Sequence, residues 1–70
     1  MERKRVNASN LRSIGYDTRS RVLEVEFSSG GIVQYSGVSE EVYLRLVNAS
    51  SPGSYFHDNV EEDFPAKKVR

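Results

Sequence analysis

The stretch Arg21–Val38, RVLEVEFSSGGIVQYSGV, leaves the chain few folds to adopt. From Val22 to Phe27 the residues alternate. Leu23, Val25 and Phe27 fall on one side and Val22, Glu24 and Glu26 on the other, which is the period of a half-buried strand. Two glutamates mark the second side as the one that meets water. Ser28-Ser29-Gly30-Gly31 then turns the chain, with glycine free to take the positive φ that tight hairpins need. A two-residue loop would pair Phe27 with Ile32 and set Gln34 and Ser36 on the apolar side. A three-residue loop, Ser28-Ser29-Gly30, pairs Phe27 with Gly31 and brings Val33 and Tyr35 beside Val25 and Leu23. The second register collects the apolar residues on one face, so it is the one expected, with Gly30 left-handed and Ile32 on the outer face.

The flanks supply what this hairpin lacks. Asn10–Tyr16 alternates loosely, with Ile14 and Tyr16 opposite Leu11, Ser13 and Gly15, and reads as a third strand. Gly15 is expected to mark a bulge or a close backbone approach. Asp17–Ser20 is a turn. After the hairpin, Ser39 is a suitable N-cap for a helix whose first turn carries Glu40 and Glu41. Tyr43, Leu46 and Val47 follow helical spacing, with Val42 and Ala49 flanking them. Ser51-Pro52 repeats the start signal for a second helix, from Pro52 to about Glu62, with Tyr55, Phe56 and Val60 inward. Phe64-Pro65 stops it. The expected fold is α+β, a three-stranded antiparallel β-meander with two C-terminal helices packed on one face. It forms a single domain over residues 1–70, ordered from about 9 to 64, with polar tails at 1–8 and 66–70. Met1–Ser9 is expected to begin disordered, and Lys67–Arg70 to be either tail or a short edge strand.

Composition narrows the function classes. A chain of 70 residues buries only about 60% of the surface its unfolded form exposes, so a homodimer or a larger protein partner would help it. It has 0 cysteines, which excludes disulfides and thiolate metal sites. The charged N-terminus has no apolar run behind it and is not a signal peptide, and no stretch is long enough to span a membrane. A cytoplasmic, bacterial protein is expected. Lys and Arg total 10, as do Asp and Glu, so no net positive charge points to a polyanion. The basic residues are nonetheless concentrated in the tails, at Arg3, Lys4, Arg5, Lys67, Lys68 and Arg70. They read either as solvated ends or as two basic arms converging on a polyanion.

Few residues carry a chemical signature. His57 and Glu61 share a helix face at metal-ligand spacing, but two ligands make no site, so a surface hydrogen bond is the expected use. Ser54, His57 and Asp58 have the residue types of a hydrolytic triad without its arrangement. No enzyme activity, metal or cofactor is expected. Ser28–Gly31 leads into a strand and lacks the P-loop Lys-Ser/Thr ending, so it is a hairpin turn. Ser50, Ser51, Gly53 and Ser54 at the start of the second helix offer amides and hydroxyls to an anion. The tyrosines fall on the apolar side, where they serve the core with hydroxyls at its rim.

In this order and spacing, Ile14-Gly15-Tyr16-Asp17, Leu23–Phe27, Gly30-Gly31, Tyr35 with Gly37-Val38, Tyr43, Ser50-Ser51, Gly53 and Tyr55-Phe56 resemble the KTSC domain family. That domain occurs at the C-terminus of some lysyl-tRNA synthetases and also as a small bacterial protein. The resemblance covers about Ser9 to Phe64. Its central Y-x-Y motif has Val33 in the first position here and Tyr35 in the second. The resemblance implies no catalysis and an RNA- or tRNA-associated binding module. The alternative is a protein-interaction or self-association module using an edge strand or the helical surface. The RNA surface is expected on Arg12, Arg21, Arg45 and the tail residues Lys67, Lys68 and Arg70. Glu24 and Glu26 on the outer face of the sheet count against that face, because they repel phosphates.

Overall fold

The computed structural model describes residues 2–6 and 8–70. The central hairpin adopts the register that gathers its apolar residues. Leu23 lies opposite Tyr35 and Val25 opposite Val33, in strands β3 (Val22–Phe27) and β4 (Ile32–Tyr35). The Phe27 amide donates to Gly31 O at 2.8 Å, the Gly30 amide donates to Phe27 O at 2.9 Å, and Gly30 has φ +102°. That is the three-residue loop with a left-handed glycine.

Around this pair the sheet is wider than expected. Strand β2 (Leu11–Asp17) pairs with β3, and β1 (Arg3–Arg5) pairs with β2. Strand β5 (Ala66–Lys68) pairs with β4. The result is a five-stranded antiparallel sheet in sequence order, β1-β2-β3-β4-β5, in place of three strands. Arg3–Arg5, in the tail expected to begin disordered, is a strand, and of the two readings of the C-terminal residues the short edge strand holds. Of the expected N-terminal tail, Met1 and Asn7 lie outside the described residues. The two outer strands were hard to anticipate because a three-residue basic strand buries little and has no apolar alternation.

A bulge at Arg12 corrects the face assignment of β2. Leu11 pairs with Phe27 and Ser13 with Glu26, so Arg12 is the extra residue. The bulge turns Leu11 inward, where it is 1% exposed, while Ser13 stays on the outer face. The distortion thus falls at Arg12 and not at Gly15.

Helices α1 (Glu40–Val47) and α2 (Pro52–Asn59) cover the inner face. Ser39 caps α1, its Oγ accepting from the Val42 amide at 3.3 Å. Helix α2 ends before Glu62, with the chain turning at Val60–Asp63. Leu46, Phe56 and Val60 are buried against Leu11, Ile14, Leu23, Val25, Tyr35 and Val38. Phe56 meets Phe27 and Tyr35 edge-on, with centroids 5.6 and 5.5 Å apart. Tyr16 stacks on Tyr43 at 5.0 Å and donates its hydroxyl to Val38 O. Such contacts between rings add about 0.5–1.5 kcal/mol each beyond the area they bury. Ile32 is on the outer face, yet only 6% exposed, and its backbone pairs with Val69 and Arg70. Among the described residues no helix is long and apolar enough to cross a membrane.

Candidate functional site

The strand register lays side chains in rows across the outer face. One row runs Arg3, Gly15, Glu24, Gln34, Lys67, from β1 through to β5. The next runs Arg5, Ser13, Glu26, Ile32, and ends near Arg70, whose backbone pairs with Ile32. Each row has basic residues toward its ends and a carboxylate in the middle.

The glutamates are covered by cations. Arg3 Nη1 donates to Glu24 Oε2 at 2.7 Å, passing over Gly15, which has no side chain to block it. Gln34 Nε2 donates to Glu24 Oε1 at 2.9 Å from the other side. Glu26 accepts from Ser13 Oγ at 2.8 Å, with Arg12 at 3.6 Å and Arg70 at 3.7 Å. The Ser13 hydroxyl first, and then the cations of Arg3, Arg12 and Arg70, hold the Glu26 carboxyl below its ordinary pKa against the opposing effect of desolvation. The side chains of Glu24 and Glu26 are each 13% exposed, against 49% for Arg12 and 66% for Arg70. What this face presents to solvent is therefore a guanidinium layer lying over neutralised carboxylates. Arg3, Arg12 and Arg70 offset the charge of Glu24 and Glu26, and the middle of the sheet remains the least cationic part of the face. Asp17, at the end of β2, is turned to its own turn, accepting from the Arg19 amide at 3.0 Å.

The candidate residues do not form one site. Arg12, Lys67 and Arg70 belong to the outer face, while Lys68 pairs with Val33 and has the opposite parity. Arg21 sits in the β2–β3 turn with φ +59°. Arg45 is on α1, paired with Glu41 at 2.8 Å on the helical side. Ser50, Ser51, Gly53 and Ser54 line an open cleft of about 630 Å³ with Asn10, His57 and Asp58. A Cβ at Gly53 would fall 2.5 Å from Asn10 Oδ1, so a larger residue there would push the exposed Asn10 side chain aside. Ser51 does not cap α2; its Oγ bonds Ser54 Oγ at 3.1 Å. His57 Nδ1 is 2.8 Å from Glu61 Oε1, and that contact raises the histidine pKa. The hydroxyl and the imidazole are thus committed to separate neighbours. Among the described residues no group of three His, Cys, Asp or Glu could hold a metal ion. Arg3 and Arg5 enter the sequence reading only as part of a basic arm, not as individual residues on one face of a strand. Their spacing of two, matching a strand, was the available signal.

An antiparallel sheet backed on one side by two helices, with its other side open, makes this a small α+β domain. The KTSC domain model matches residues 7–64, and the chain belongs to the KTSC domain family. A crystal structure of a KTSC domain protein from Yersinia pestis superposes with a TM-score of 0.95 at 35% identity, covering 99% of this chain and 97% of that one. An uncharacterized protein of Stutzerimonas stutzeri (strain A1501) is 46% identical over 57 residues, which are 81% of this chain and 80% of that protein. A lysine–tRNA ligase of Nostoc sp. is 33% identical over 61 residues. That match takes in 87% of this chain but 11% of the ligase.

Proposed function

We propose that this KTSC domain is a non-catalytic binding module that holds RNA against the outer face of its sheet. The observation that carries the reading is the guanidinium layer. Arg3, Arg12 and Arg70 lie above Glu24 and Glu26, with the exposed side chains of Arg5 and Lys67 beside them. Phosphates meet cations first, and the neutral net charge of the chain, +0, hides that asymmetry. Similarity to part of a lysine–tRNA ligase adds support, because that enzyme's name couples it to tRNA.

The alternative is self-association or docking of a protein partner on an open strand edge. The outer edges of β1 and β5 are three residues long and basic. Like charges on short edges oppose pairing between two copies, so RNA is the better reading.

Titration of tRNA at stepped ionic strength tests it. Binding should weaken linearly on a log–log plot, with a slope near −0.7 to −0.9 for each phosphate neutralised. Replacing Lys67, Lys68 and Arg70 with Ala should flatten that slope by about two, because only Lys67 and Arg70 share the face. No binding of tRNA or of a random RNA pool at low salt sinks the reading. Sedimentation over a range of concentrations checks the alternative.

A further inference from the structure

Resting on the RNA reading, we infer that the RNA held here is double-helical, and that it docks with its minor groove across the two rows of the outer face.

The first ground is where the rings are. The chain has 4 Tyr and 3 Phe. Tyr35 and Phe56 are core residues, and Tyr16, Phe27, Tyr43, Tyr55 and Phe64 pack against that core. None is left for the outer face. Proteins that bind single strands gain much of their affinity by stacking bases on exposed rings. This face has no such platform.

The second ground is the order of charge along each row. The cations come from both edges of the sheet, β1 on one side and β5 with Arg70 on the other. Four strand spacings separate those edges by about 19 Å. A single phosphate chain laid along the middle strand would follow Glu24 and Glu26, the least favourable line available. Two phosphate rails, one toward each edge, avoid it.

The third ground is what lies between the rails. Ser13, Glu24, Glu26 and Gln34 fill the centre. The A-form minor groove is wide and shallow and displays 2′-hydroxyls, which donate hydrogen bonds. Carboxylate and amide oxygens accept them. The Glu24 and Glu26 oxygens are already engaged, so the acceptor the centre offers a groove floor bordered by two backbones is Oε1 of Gln34, whose amide nitrogen alone is used.

The test compares a 20-base-pair RNA duplex, an unstructured single strand of the same length and a DNA duplex of the same sequence, all at low salt. The RNA duplex should bind at least about tenfold more tightly than the single strand, with little change when its sequence is scrambled. Arg5→Ala and Lys67→Ala, at exposed positions on opposite edges, should each weaken duplex binding, and circular dichroism checks that both variants fold. Equal or tighter binding of the single strand overturns the duplex assignment while leaving the RNA reading in place. A DNA duplex bound as tightly as the RNA duplex overturns the assignment of 2′-hydroxyl contacts. No binding of any RNA overturns the RNA reading itself.

Discussion

Arg3 reaches Glu24 across an intervening strand, at 2.7 Å, because the residue between them in the row is Gly15. A side chain at position 15 stands in that path. Gly15→Val should break the ion pair and loosen β1, read as faster amide exchange at Lys4 and Arg5. The global stability change should stay below about 1 kcal/mol, the scale of a part-exposed ion pair. Unchanged exchange in β1 would show that Arg3 is not what fastens it.

Glu26 is held below its ordinary pKa by the Ser13 hydroxyl first and by Arg3, Arg12 and Arg70 after it. With the folded value depressed, its stabilising contribution is present above the unfolded value, about 4.5, and is lost as pH falls through the folded one. Glu26→Gln should therefore flatten the acid limb of the stability curve. The same change releases Arg12 and Arg70 and should tighten RNA binding roughly threefold. Weaker binding in this variant would mean that the carboxylate is needed to place the arginines.

His57 titrates above the ordinary histidine range because Glu61 bonds it and bears a charge. A raised folded pKa contributes stability below the unfolded value, lost as pH rises through the folded one. Both groups are exposed, so the readout is the histidine itself. In an NMR titration, Glu61→Gln should move its midpoint down toward 6.5. An unmoved midpoint would count against the contact.

Phe56 ties α2 to the sheet through Phe27 and Tyr35. Phe56→Ala should cost about 3–5 kcal/mol, most or all of what a core this small supplies. Chemical denaturation should find the variant largely unfolded. A loss under about 1 kcal/mol would mean that α2 is dispensable to the fold.

Arg21 is the one described non-glycine residue with a left-handed backbone, at φ +59°. Left-handed geometry costs most residues about 1–2 kcal/mol, and Asn tolerates it better. Arg21→Asn should raise the melting temperature by a few degrees. It should leave RNA affinity unchanged, since Arg21 lies in the β2–β3 turn and in neither of the two rows. A drop in affinity would return Arg21 to the site.

The hairpin was readable because one register, and only one, puts Val33 and Tyr35 with Val25 and Leu23. Apolar alternation carries that information directly. Both helices were readable from Ser39, Pro52 and the spacing of Leu46, Phe56 and Val60. Of the outer strands, the sequence admits the C-terminal one as an alternative to a tail and the N-terminal one not at all, since Arg3–Arg5 and Ala66–Lys68 are fixed by pairing with neighbours and not by residues of their own that seek a core. The site suffered from the same gap. Without β1 and β5 beside them, Glu24 and Glu26 look like bare charges on a wet face, and only the assembled sheet brings Arg3 and Arg70 over them. In the sequence Arg12, Lys67 and Arg70 stand out on charge alone. Arg21 and Arg45 met the same criterion and lie elsewhere, because charge says nothing about which side of a sheet a residue will face.

The β4–β5 pairing joins Tyr35 to Ala66 only after the polypeptide has travelled through both helices. Contacts between consecutive hairpins close short loops, whereas this one closes the longest in the sheet and so should zip up late in folding. Two of the five outer-face cations, Lys67 and Arg70, come with that final strand and the residues just after it. A partly assembled molecule would have Arg3 and Arg12 over the glutamates but lack the cations of the far edge, so newly made chains would gain the second cationic border only on reaching the native state.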